Sequence, residues 1–166
     1  YIAFLDSDDY WSEDKLLKQI SFMRKENVYF CYGDYYSFNE SGRKKRFLAP
    51  KNITYKDMLR RCNIGCLTVI IDRNEIDDIV FPEINKEDYA LWLSILKKGI
   101  VAYNYNSSDS YYRLHENSIS SNKFIEIKRQ YNVLKLFDVP YIKILYYMSS
   151  YVLNGLVKYI FSLLEI

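Results

Sequence analysis

The chain opens on five apolar residues, Tyr1 to Leu5, and turns abruptly polar at Asp6-Ser7-Asp8-Asp9. So short a run, with aromatic and β-branched members, predicts a strand buried on both faces that ends at a cluster of acids. Ser12 then stands where a helix cap is expected, with Glu13 and Asp14 favourable to the dipole of the first turn. Leu16, Ile20 and Met23 recur on one face of that helix. Val28 to Phe38, rich in Tyr, Phe and Val, reads as a strand that Asn39-Glu40-Ser41-Gly42 turns. Thr54 caps a short helix to Cys62, and Gly65 to Asp72 reads as another buried strand. Ile76 to Phe81 fits no element cleanly, and Pro82 ends it.

The strongest helical signal is Lys86 to Lys98, opened by Asn85, filled with Tyr89, Leu91, Trp92, Leu93, Ile95 and Leu96, and closed by Gly99. Ile100 to Tyr105 and Ser110 to His115 read as strands around a turn at Asn106 to Asp109. Ser121 caps a helix on which Phe124, Ile127, Tyr131 and Leu134 repeat, and Pro140 suits the start of a last helix, Tyr141 to Leu164. On that last helix Lys143, Tyr147, Ser150, Asn154 and Lys158 form one thin polar stripe against a wide apolar face. Such a face suits a membrane interface, a second copy or another partner, or its own domain. Strands alternating with helices make the class α/β.

Composition narrows the function classes. At 166 residues the chain suits one domain, and 49% hydrophobic with 27% charged residues describes a globular protein. A net charge of +2 does not argue for nucleic acid; the basic run Arg43 to Arg46 reads as a solvated hairpin loop. The 18 tyrosines carry no functional reading. The three cysteines, Cys31, Cys62 and Cys66, are odd in number and sit in apolar surroundings, so free thiols in a reducing, cytoplasmic compartment are expected. Cys62 and Cys66 alone are a poor zinc site. No signal peptide and no apolar run of spanning length is read. The opening without methionine, directly on a strand, predicts that further strands precede it.

The chemistry concentrates in three places. Asp6, Asp8 and Asp9 repel one another unless a cation sits among them, and a divalent ion with hard oxygen ligands answers that need. The alternatives are a plain turn with an N-cap, or a phosphatase-like nucleophile at Asp6. A helix-loop-helix calcium site fails, because its required glycine would be Trp11 and its closing acid Leu17. Glu87 and Asp88 lie in a first helical turn, where acids are ordinary dipole partners, yet a carboxylate on so rigid an element can also serve as a general base. His115 ends a predicted strand two residues after Arg113, so this segment can supply a metal ligand and a phosphate-binding cation.

The opening Tyr-Ile-Ala-Phe-Leu-Asp-Ser-Asp-Asp-Tyr-Trp with Lys15 to Ile20 after it, then Glu87-Asp88-Tyr89-Ala90-Leu91-Trp92-Leu93, then Tyr112-Arg113-Leu114-His115, resemble family 2 glycosyltransferases in order and spacing. The resemblance runs to about Lys123. It implies an incomplete A-type glycosyltransferase fold, a mixed sheet flanked by helices, over residues 1–120, with a helical extension over 121–166 and the first nucleotide-binding strands missing. Asp8 and Asp6 would belong to the Asp-x-Asp motif that binds a nucleotide-sugar through Mn2+ or Mg2+, with His115 as an added metal contact. Asp88 would be the catalytic base; Asp9, Glu87 and Arg113 would line the substrate. The implied activity is inverting transfer from a nucleotide-diphospho-sugar to a glycan or lipid-linked hydroxyl acceptor, at the cytoplasmic face of the membrane. This chain alone is expected to transfer little. Phosphoryl transfer through Asp6, or a non-catalytic docking or dimerising module led by residues 141–164, are the alternatives.

Overall fold

The computed structural model describes residues 1–42, 44–115 and 123–163, with side chains placed outside 123 and 154–163. Among the described residues nine strands and five helices follow in order: β1 Ile2–Ala3, β2 Tyr10–Trp11, α1 Lys15–Glu26, β3 Phe30–Tyr32, β4 Tyr35–Phe38, β5 Lys44–Phe47 and β6 Asn52–Ile53. Then come α2 Tyr55–Arg60, β7 Ile70–Ile71, α3 Glu87–Lys97, β8 Ala102–Asn104, β9 Ser110–Arg113, α4 Lys123–Leu136 and α5 Tyr141–Leu163. The class is mixed α/β, with two mixed sheets flanked by helices, as an A-type glycosyltransferase fold requires.

The larger sheet has the order β1-β7-β3-β8-β6 and the smaller one β2-β9-β4-β5. In the larger sheet β7 is antiparallel to both β1 and β3, while β3 and β8 are parallel. β1, β3 and β8 therefore run the same way, and the acid loop leaves at the edge where those three strands end. That is the edge at which α/β sheets form ligand crevices.

The opening strand is not the fully buried one expected. Only Ile2 and Ala3 are paired, β1 has a strand on one side only among the described residues, and Tyr1 and Leu5 are about half exposed. Val28 to Phe38 divides into β3 and β4, which belong to different sheets. Gly33 makes the break: a Cβ there would run into the Tyr105 ring and lie 2.9 Å from the Ser107 carbonyl. Lys44, Lys45 and Arg46 of the basic run are not a loop but lie in an edge strand, where charges discourage further pairing, and Arg43 lies outside the described residues. Gly65 to Asp72 holds a 3-10 turn, Cys66–Thr68, ahead of a two-residue strand.

Two helices turn a different face inward from the one their apolar spacing predicts. On α1 the buried residues are Lys15, Gln19 and Met23, and Leu16 is exposed. Ser12 does not cap it; its hydroxyl reaches Asp109 Oδ1 at 3.0 Å, and Glu13 and Asp14 precede the first turn. On α4 the inward residues are Gln130, Val133 and Leu134, while Phe124 and Tyr131 are exposed. The cap expected at Ser121 lies outside the described residues.

α3 and α2 form where expected, but Asn85 does not cap α3, whose N-cap is Lys86 with no side-chain capping hydrogen bond, and α2 ends at Arg60 and not at Cys62. α3 buries seven of its eleven residues, and Gly99 follows at φ 90. Thr54 and Asp57 form a reciprocal capping box on α2. Trp92 is fully buried and meets Phe4 edge-on with ring centroids 5.3 Å apart. Phe4 lies two residues before Asp6 and Trp92 four after Asp88, so this one contact fixes the acid loop against the start of α3. Val133, Leu134 and Ile144 join the same core, bringing α4 and α5 onto α2 and α3. On α5, Tyr147 and Met148 pack inward with Ile144, so Tyr147 of the expected polar stripe is partly buried. Tyr141, Ile142, Leu145, Tyr146 and Leu153 stay exposed.

Candidate active site

Asp6-Ser7-Asp8-Asp9 is a tight turn closed by the Asp9 amide on the Asp6 carbonyl at 3.1 Å. It turns the three carboxylates to different fates. Asp6 and Asp8 are exposed, whereas Asp9 is buried. Asp9 Oδ1 accepts the Arg113 amide at 2.8 Å, while its Oδ2 is buried with no partner among the described residues. Burial pushes the Asp9 carboxyl up to about 6, against the Arg113 hydrogen bond, and the charges of Asp8 and Asp6 push the same way.

The same strand end supplies the next two groups. Arg113 Nε donates to the Asp8 carbonyl at 3.1 Å, and its guanidinium lies over the Phe38 ring. His115 Nε2 stands 2.8 Å from Asp8 Oδ2, with both side chains about half exposed. The hydrogen bond from His115 holds the Asp8 carboxyl below its ordinary value. The fold thus gathers Asp8, Asp9, Arg113 and His115 from positions more than 100 apart in sequence.

Among the described residues no three His, Cys, Asp or Glu side chains converge on one point. The pair that does meet fits an open cation site. Ligands about 2.0–2.1 Å from a magnesium ion and at right angles are about 2.9 Å apart, close to the Asp8 to His115 spacing. A carboxylate oxygen and an imidazole nitrogen suit manganese as well, and their exposure leaves room for ligand oxygens to complete the shell.

Asp88 is the contrasting acid. It is half-buried in the first turn of α3, and its Oδ1 accepts the Tyr89 amide at 2.6 Å. Burial raises its carboxyl above the ordinary value, against that hydrogen bond; the neighbouring charges of Glu87 and Asp6 raise it further. Glu87 is exposed and borders an open depression with Phe81, Pro82 and Ile84. The paired aspartates that phosphoryl transfer would need, Asp77 and Asp78, lie in an irregular stretch, and Asp78 pairs with Lys98 at 3.3 Å.

The model of glycosyl transferase family 2 matches residues 1–71. Over 162 residues, 98% of this chain and 64% of the relative, the chain is 50% identical to the UDP-Glc:alpha-D-GlcNAc-diphosphoundecaprenol beta-1,3-glucosyltransferase WfaP of Escherichia coli. The chain belongs to glycosyl transferase family 2. A second Escherichia coli enzyme with the same named activity, WfgD, is 48% identical over 163 residues, with the same coverage of both chains. The putative teichuronic acid biosynthesis glycosyltransferase TuaG of Bacillus subtilis is 41% identical over 95% of this chain and 64% of its own length. This family 2 chain therefore spans just under two thirds of the length of these relatives.

Three residues of the family 2 site region escape the sequence reading. Burial, then the charges of Asp9, Asp8, Asp6 and Asp88, raises the Tyr112 phenol, so Tyr112 feels both the acid loop and the start of α3. Its place in a strand next to Arg113 was the available signal. Cys66 lies within reach of Asp88, Asp6 and Glu87; burial pushes its thiol up to about 12, so it is an inert wall of the site. Lys86 opens α3 in a left-handed conformation, which no sequence rule assigns to lysine. All three cysteines are free.

Proposed function

We propose that this chain carries the cation edge and the acceptor-side base of an inverting glycosyltransferase that uses a nucleotide-diphospho-sugar. The observation that carries the reading is the opposite treatment of two carboxylates on facing elements: Asp8 held ionised in the open beside His115, Asp88 raised by burial on a rigid helix. Two acids driven apart in this way are suited to different tasks. Inversion by single displacement needs one base and no enzyme nucleophile.

Asp8 and His115, with Asp6 beside them, would hold a divalent manganese or magnesium ion. That ion supplies Lewis-acid neutralisation of the diphosphate leaving group. Asp9 fixes the Arg113 amide and so keeps the His115 strand end against the acid loop. Arg113 lines the diphosphate side and Glu87 the acceptor side. Asp88 Oδ1 is engaged by Tyr89 N, which orients the carboxylate and leaves Oδ2 to take the proton of an acceptor hydroxyl. A raised pKa makes that oxygen a better base near neutral pH.

The activity named for the two Escherichia coli relatives suggests the substrates: UDP-glucose as donor and an N-acetylglucosamine joined through a diphosphate to a polyprenol as acceptor. A β product from the α-linked donor is inversion. No helix among the described residues is long and apolar enough to cross a membrane. The exposed Tyr141, Ile142, Leu145, Tyr146 and Leu153 on α5 fit peripheral contact with the membrane that carries such an acceptor.

The test is transfer by the full-length protein from UDP-glucose to a diphospholipid-linked N-acetylglucosamine with manganese present. A β-linked disaccharide that fails to form once the metal is chelated is expected. Transfer unaffected by chelation would remove the cation from the account, and no transfer from any nucleotide-sugar would remove the function.

A further inference from the structure

Lys86 has φ 67 and ψ 44, a left-handed conformation that L residues hold only where their surroundings impose it. Its carbonyl receives the Ala90 amide at 3.0 Å, so the backbone angle at Lys86 sets where α3 starts and which way Glu87 and Asp88 point. The imposing surroundings are two later helices. Lys86 Nζ lies 3.2 Å from Glu126 Oε2 and 3.3 Å from Gln130 Oε1, both on α4, and 3.4 Å from the Tyr151 hydroxyl on α5. The lysine and glutamate side chains are each only 17% exposed. Arg129 Nη1 holds Glu126 Oε1 at 2.7 Å, so the glutamate is itself fixed.

A second grip lies on the other side of Asp88. Gln130 Nε2 donates to the Tyr89 hydroxyl at 2.9 Å, and that hydroxyl donates to the Met58 carbonyl of α2 at 3.0 Å. Gln130 thus binds residues 86 and 89 at once and brackets Asp88 between them. A lysine–glutamate pair removed from most solvent holds one geometry far better than an exposed pair would, and an exposed pair would be expendable.

We infer that Lys86 is a positioning residue for the acceptor-side carboxylate: with Glu126, Gln130 and Tyr151 it makes α4 and α5 part of the apparatus that aims Asp88. This rests on the reading of Asp88 as the base. A misplacement of a reacting group by about 1 Å costs on the order of 100-fold in rate without touching the binding of the other substrate. The signature of the clamp is therefore a fall in kcat with donor affinity intact.

The experiment compares Lys86→Met, Lys86→Arg and Glu126→Gln in the full-length protein, with UDP-glucose and manganese as the donor probe. Lys86→Met is expected to lower kcat by about 10- to 100-fold with donor Kd within twofold of wild type. Lys86→Arg restores most of the rate, because it keeps the cation. Glu126→Gln keeps shape and loses charge, giving a smaller fall in the same direction, and it stands in if Lys86→Met does not fold. A folded Lys86→Met with wild-type kcat, or kcat and donor affinity falling together in Lys86→Met and Glu126→Gln alike, overturns the proposal. If Asp88→Asn keeps wild-type turnover, the base assignment fails first and this inference with it. If Asp88→Asn is dead while Lys86→Met is fully active, only this inference fails.

Discussion

The acid loop and the first turn of α3 lie near enough for the Asp6 charge to act on Asp88, yet the chain treats their aspartates in opposite ways. In the loop Asp8 is open to solvent and beside an imidazole, so its charge is favoured; in the helix Asp88 is shielded and its charge is opposed. Residue type does not decide the task; surroundings do. In the proposed division of labour the loop would keep a cation and an anionic diphosphate, and the helix would accept and release a proton. One aromatic contact, Phe4 on Trp92, joins the two regions, and separate hydrogen-bonded sets stiffen each of them.

The comparison breaks most visibly at Asp88. Asp88→Asn is expected to cost about 100- to 10,000-fold in kcat, the usual worth of a general base. The wild-type rate should fall as pH drops through a midpoint above the ordinary carboxylate range, since the base works only when deprotonated and burial raises its pKa. A rate that stays level down to pH 4 would contradict a buried base. Asp8→Ala acts on the other region: manganese-dependent donor binding should weaken at least 10-fold, in line with losses of about 10- to 100-fold from disturbing ligand surroundings. Binding measured with and without the metal checks this, because metal-independent affinity should not change.

A subtler contrast lies beneath the loop. Lys15 is fully buried, its Nζ has no hydrogen-bond partner among the described residues, and it sits 3.9 Å over the Trp11 ring. Burial pushes its pKa down to about 8 from 10.5. Below pH 8 the folded state therefore carries a buried charge at a cost on the order of 3 kcal/mol, of which the cation–π contact offsets about 2. Lys15→Met should stabilise the protein by about 1 kcal/mol at pH 7. The wild type should recover the difference as pH rises from about 8 toward 10.5, where the unfolded chain still binds the proton that the folded one has lost. Denaturant midpoints at pH 7 and pH 9.5 read both effects. The smallest change belongs to the helix side: Thr54→Ala removes the α2 capping box and should cost about 1 kcal/mol, with turnover unchanged if α2 only braces Tyr89 through Met58.

How far these regions were legible in the sequence follows from the range of the forces involved. α3 and α2 were legible because periodicity, capping residues and Gly99 are local signals. The acid loop was legible as chemistry, through charge crowding within four residues. The inward face of α1 was not, because Trp11 accepts a lysine where spacing asks for leucine. Nor was the fate of Ser12, whose partner Asp109 lies 97 residues away and outcompetes the local helix end. The change of sheet at Gly33 was marked only by the Gly33-Asp34 pair inside an otherwise aromatic-rich run, and it is the approach of Tyr105 that demands the missing side chain. The start of α3 is the sharpest case: Glu87 and Asp88 read as acids at a helix N-terminus, while the left-handed Lys86 that aims them depends on helices 40 and more residues later.

The central division of labour is tested most directly by calorimetric titration of UDP-glucose with manganese into the wild type, Asp8→Ala and Asp88→Asn side by side. The account predicts donor affinity lost in Asp8→Ala and kept within twofold in Asp88→Asn. Equal affinity in all three, or equal loss in both variants, would contradict it.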